Sequence, residues 1–107
     1  MTPEIINMTP HAITWVKPSG ESCVIESSGT IRCECKTELV ESIGDLEIYS
    51  NSYVLKDSLP AAKPGVYYVV SALVAARLTG RDDVLVVNET VRDSAGRIIG
   101  CKSFARI

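Results

Sequence analysis

The sequence predicts an α+β domain, mainly antiparallel β-sheet of barrel- or sandwich-like form, with one short helix at about residues 71–79. Three observations predict it. Apolar residues alternate at period two through most of the chain, as in strands with one buried face. Clusters of Pro, Gly, Ser and Asn interrupt these runs at short intervals, as turns between strands do. One stretch alone, "SALVAARLTG", has helix composition, with Ser71 to cap it, Ala, Leu and Arg inside and Gly80 to close it. Residues 1–107 read as a single domain, which at this size buries roughly two thirds of its unfolded surface and needs no metal or disulfide to fold.

In chain order, "EIIN" and "AITWV" read as strands around a Thr-Pro step, where Pro10 removes a backbone donor. "KPSGES", residues 17–22, is a turn. If Cys23 and Ile25 share a face with Ile31, Cys33 and Cys35, then Glu26, Arg32 and Glu34 collect on the other. That split predicts a hairpin with an odd loop through "SSGT", bringing Cys23 opposite or nearly opposite Cys33 or Cys35. "LVESIGDLEIYSNSYVLK" continues as short strands around Gly44 and a turn at residues 50–52. "LPAAKPG", residues 59–65, is an extended connection, because residues before proline avoid the α region. "VYYVVS" is a strand by its β-branched and aromatic content, and "DVLVV" is another after the helix. "TVRDSAGRIIGC" is a closing hairpin with Gly96 in its turn.

The net charge of −2 argues against a protein that coats DNA or RNA, which needs many Lys and Arg contacts to phosphates. The charge is uneven, since residues 77–107 hold six basic side chains against four acidic ones. The N-terminal residues lack the basic start, apolar run and cleavage site of a signal peptide. The longest apolar run, Val66 to Leu78, has 13 residues, too few to span a bilayer. A soluble, cytoplasmic protein without a membrane partner is expected.

Several residues qualify as functional candidates. Arginine suits two-pronged recognition of phosphate or carboxylate, and Arg77, Arg81, Arg92 and Arg97 fall within 21 residues. Tyr67 and Tyr68 point to opposite sides of a strand, so one packs inward and the other, taken here as Tyr68, is free to stack on a ring. Asp82 and Asp83 form the only adjacent carboxylate pair, and His11 is the sole histidine. The four cysteines read as reduced core residues, with a Cys23 disulfide or a metal as weaker alternatives. No P-loop, GxGxxG, HExxH, CxxC or Ser-His-Asp order is present.

At "INMTPHAITW", "PGVYYVVSALVAARLTGRDDVLV" and "VRDSAGRIIGC" the chain resembles a group of small proteins encoded by bacteriophages, prophages and bacterial genomes. In that group an Asn-x-Thr-Pro-His opening, a Gly-Arg-Asp-Asp-Val step and a closing Val-Arg-Asp…Gly…Gly-Cys recur in this order. The resemblance covers about half of the residues and both ends, and residues 21–58 lie outside it. It implies a phage or prophage setting and no particular activity.

Together these features predict a non-enzymatic accessory protein, phage- or prophage-encoded and acting in the host cytoplasm, with action against host defence as one role, that binds an anionic nucleotide-type ligand or covers a host protein. The predicted ligand residues are Arg81, Arg92, Arg97, Tyr68, Asp82 and His11. No cofactor is expected. A homo-oligomer is expected, because a domain this small has little room for a closed cavity of its own. The alternatives are a minor virion or assembly protein, and a small hydrolase using His11 with Asp82 or Asp83.

Overall fold

The computed structural model describes residues 3–107. Its strands are β1 (Glu4–Asn7), β2 (Ile13–Val16), β3 (Ser22–Ile25), β4 (Cys33–Ile43), β5 (Leu46–Leu55), β6 (Val66–Val69), β7 (Val84–Arg92) and β8 (Ile98–Ala105), and its helix is α1 (Ala72–Ala75). Six strands form one sheet in the order β1-β6-β7-β8-β2-β3, while β4 and β5 pair only with each other. This is the α+β class expected, mostly strand with one short helix. Antiparallel ladders carry most of the pairing, but β6 lies parallel to both β1 and β7, and β2 touches β8 in parallel at the single pair Trp15–Cys101.

The sheet curls until its two edges meet. Asn7 at the end of β1 bridges Ser27 just beyond β3, leaving a nearly closed barrel. Alternation along β6 serves both faces. Tyr68 is buried, and Val70 joins Val74, Ala75, Val84 and Ile31 in the core cluster, with Met8, Leu55, Leu59 and Leu78 packed around it. Val69 and its register partner Asn7 lie on the opposite, enclosed face, and both are fully buried. β2 and β8 come close at Gly100, where an added Cβ would stand 2.6 Å from the Thr14 carbonyl oxygen. Gly100→Ala is therefore expected to push the strands apart and cost about 2 kcal/mol, read as a lower urea midpoint at unchanged slope.

Ser71 caps α1 as expected, its hydroxyl accepting the Val74 N–H at 3.3 Å. The regular helix is shorter than residues 71–79, because it gives way to turns before Gly80, which adopts φ +90°.

Two hairpin expectations fail. β3 pairs with β2, not with the strand carrying Cys33 and Cys35, so Cys23 faces Trp15 and all four cysteines are free. The face-splitting argument is satisfied equally by a partner upstream, and the tight turn at residues 17–21, closed by Lys17 N–H to the Glu21 carbonyl, supplies it. Cys35 is exposed and not in the core, whereas Cys101 is buried deeply enough that its thiol pKa is pushed up. Residues 50–52 are not a turn either. They continue β5, and the whole segment from Cys33 to Leu55 is one long hairpin turning at Gly44 and Asp45, with a bulge between Leu39 and Glu41.

That hairpin projects from the body as an arm. Its base is fixed by Arg32, whose guanidinium and backbone N–H both bind Asp57 at 2.9–3.3 Å, and by the Arg77 guanidinium 5.0 Å from the centre of the Tyr53 ring. Beyond the base, the side chains of β4 and β5 are largely exposed. The radius of gyration is 17.2 Å, against about 13 Å for a compact chain of this length.

Candidate functional site

Three tight hydrogen-bonded turns, at residues 7–11, 81–83 and 92–97, hold most of the candidate residues. In the first, Asn7 directs the chain through Thr9 and Pro10 to His11. Its side-chain amide donates to the carbonyls of His11 (2.8 Å) and Ile25 (3.0 Å), and its oxygen accepts from the Thr9 backbone N–H (3.0 Å) and hydroxyl (2.6 Å). Asn7 is thus the clasp of the barrel seam, a role a lone Asn in a strand-like run does not announce.

In the second, Arg81 grips Asp83 with two parallel bonds, Nε to Oδ1 at 3.0 Å and Nη2 to Oδ2 at 2.7 Å, while Nη2 also donates to the Pro60 carbonyl at 2.8 Å. The guanidinium lies 5.9 Å from the centre of the Tyr68 ring. The neighbouring cation holds the Asp83 carboxyl below the usual carboxylate range. In the third, Asp93 accepts from the backbone N–H groups of Ala95 and Arg97 and from the Arg97 side chain, and Arg92 donates to the Gly96 carbonyl at 2.7 Å.

The predicted site residues therefore do not meet at one place. Tyr68 is buried, 4% exposed, and cannot stack on a ligand; its neighbour Tyr67 takes the more open side. Arg81 precedes β7 and Arg92 ends it, with roughly 26 Å of extended strand between the ends of β7, so Arg81 cannot converge with Arg92 and Arg97 within one chain. His11 follows the C-terminal end of β1, whereas Asp82 and Asp83 precede the N-terminal end of β7. Because β1, β6 and β7 run parallel, these groups sit at opposite ends of the sheet, and the His11–Asp82/Asp83 pairing that a hydrolase requires is not formed.

What the fold brings together instead is three depressions. His11 lines a largely apolar groove of about 400 Å³ with Thr14, Ser71, Val87, Ile98 and Ile99. Arg92, the register partner of Ile98, and Arg97 stand at its end.

The second depression, about 530 Å³, opens at the other mouth of the curled sheet and is lined by Ile5, Leu85 and three aromatic side chains, Trp15, Tyr67 and Phe104. Trp15 and Phe104 meet edge to face with centroids 5.8 Å apart, and the Lys17 ammonium lies 5.5 Å from the centre of the Trp15 ring. The third, about 360 Å³, carries Lys63, Arg81 and Arg106 beside Asp82 and Asp83. Gly65 and Tyr67 line both of these last two, so aromatic and cationic walls form adjoining parts of one trough.

Arg106 is held toward it by a 2.7 Å bond from its Nε to the Asp82 carbonyl, leaving its terminal nitrogens without a partner among the described residues. Sequence reasoning missed Lys63, Arg106, Trp15 and Phe104. They come from three separate segments, the connection before β6, β2 and the end of β8, which only the sheet order gathers. No group of three or more His, Cys, Asp or Glu side chains with metal-binding geometry occurs among the described residues. No helix among them is long and apolar enough to cross a membrane. No protein-family model matches the chain, and no curated protein or solved structure matches it either.

Proposed function

We propose that the chain is a non-enzymatic binding protein that holds an anionic, ring-bearing ligand of nucleotide type in the Trp15–Tyr67–Phe104 and Lys63–Arg81–Arg106 trough. One observation carries this reading: the aromatic and cationic depressions share Tyr67 and Gly65, so one ligand spans both. A planar base packs against aromatic faces, which contribute beyond their buried area, while a phosphate takes charge-assisted bonds from Lys63 and the free nitrogens of Arg106. Arg81, neutralised by Asp83, shapes the wall. The resemblance of the three turn segments supports a phage or prophage setting, in which such a protein acts by sequestering a host signal.

The test is calorimetric titration with a panel of mono-, di- and cyclic nucleotides. At least one is expected to bind, and Lys63→Ala with Arg106→Ala to weaken it by at least about 100-fold, each lost charge-assisted contact being worth about 1.5–3 kcal/mol. A wild-type protein indifferent to the whole panel, or a double variant that binds as well as wild type, overturns the reading. A second reading, an assembly protein of the virion, is favoured by the projecting arm, and is checked by looking for the chain in purified particles.

A further inference from the structure

The arm and the His11 groove leave two apolar surfaces uncovered on one chain, and their charges are opposite. On the outer half of the arm Leu39, Val40, Ile43, Leu46, Ile48 and Tyr49 stand 36–59% exposed. Around them lie Glu38, Glu41, Asp45 and Glu47, and with Glu34 and Lys36 nearer the base residues 33–55 carry −4 and the remainder of the chain +2. In the groove Ile98 and Ile99 stand 57% and 55% exposed; Arg92 is the register partner of Ile98, and because Arg97 is paired with Asp93, Arg92 is the uncompensated cation beside them.

An isolated two-stranded ribbon is at best marginally stable in water, and open strand edges invite pairing or cover. The chain also exposes 7307 Å², about 1,500 Å² more than the roughly 5,800 Å² of a compact monomer of its mass. A stable interface takes about 800 Å² from each partner, and the excess surface of this elongated chain is of that order.

We propose that the arm of one chain docks its tip in the His11–Ile98–Ile99 groove of a second copy of the same chain. The occupant is a second copy because the protein carries both halves of the contact, apolar against apolar and acidic against basic. Pairing arm with arm would set −4 against −4 and is disfavoured. Each chain offers one arm and one groove, so two chains satisfy both by reciprocal exchange about a two-fold axis. This contact is separate from the Trp15–Tyr67–Phe104 trough and stands or falls independently of any ligand there.

Sedimentation equilibrium tests it. The wild type is expected at twice the 11.6 kDa chain mass, with association weakened by added salt, which screens the charged rim. Ile43→Asp with Leu46→Asp on the arm, or Ile98→Asp with Ile99→Asp in the groove, should each raise the dissociation constant at least 100-fold, with circular dichroism and Trp15 fluorescence reporting an intact fold. Ile43→Ser with Leu46→Ser serves if the charged arm variant misfolds. The decisive mixture combines an arm variant with a groove variant: one intact arm then meets one intact groove, and a heterodimer should reappear. A wild-type monomer at 100 µM overturns the proposal, as does a wild-type monomer that floats with phosphatidylcholine vesicles, which assigns the arm to a lipid surface. A groove variant that dimerises as well as wild type also overturns it, because the contact is then arm to arm, and so does a mixture that stays monomeric while the wild type dimerises.

Discussion

Replacing Asn7 by alanine is expected to destabilise the fold by about 3–4 kcal/mol, because one buried amide holds the barrel seam with four hydrogen bonds. Truncation removes the partners of two carbonyls, those of His11 and Ile25, and of the Thr9 N–H, in a region where Asn7 itself is 0% exposed. It also opens a void beside Val69. Stability of this size is a large part of the roughly 5–15 kcal/mol that holds a domain together, and the thermal midpoint should fall by about 12–20 °C. Asn7→Asp is the discriminating companion. It keeps the oxygen that receives Thr9 but loses the donor to His11 and Ile25, and adds a buried charge, so it should be no better than alanine. A midpoint within 3 °C of wild type for either variant would show that the seam is held by the ladder bonds alone.

Asp83→Asn should cost about 2–3 kcal/mol at neutral pH, since it leaves the Arg81 guanidinium, only 25% exposed, without its anion. The same pair sets an acid limit. The folded Asp83 carboxyl titrates below its unfolded value, near 4, so its contribution is complete above that value and is lost as pH falls through the folded one. Asp57, lowered by hydrogen bonding to Arg32, acts in the same direction. Thermal midpoints measured from pH 7 to pH 2 should therefore converge for wild type and Asp83→Asn as acid is added. A gap between them that stays constant to pH 2 would mean that packing, not ionisation, makes the difference.

How far the sequence could be read follows from how local each feature is. The Ser71 cap, the turn at residues 17–21, the extended "LPAAKPG" connection and the closing hairpin around Gly96 depend on neighbours a few residues away, and all four are present. The partner of β3 depends on residues far off in the chain. Alternation assigns Cys23 and Ile25 to a face but names no neighbour, and β2 took the place expected of β4. The arm went unread for a related reason: "SNS" has turn composition, yet Ser50, Asn51 and Ser52 sit opposite Glu38, Thr37 and Lys36 in a ribbon whose surroundings are solvent.

For the site, chemistry was legible and geometry was not. Arginine and tyrosine were the right residue types, but Arg81 spends its fork on Asp83 and Tyr68 faces the core. Tyr67, Lys63 and Arg106 take their places because β6 starts beside the chain's final residues. The Arg-Asp steps that dominate the last third of the sequence turn out to shape loops, and the trough lies between those loops.

The pairing order also dictates a schedule for synthesis. β1 finds its partner only in β6, some sixty residues later, and β2 meets β8 only when the last strand has been made. On a ribosome, therefore, the arm is a long ladder whose strands can meet as soon as they emerge, being joined by a two-residue turn, while the barrel waits for β8. Non-local pairing of this kind is slow and leaves apolar strands unpaired meanwhile.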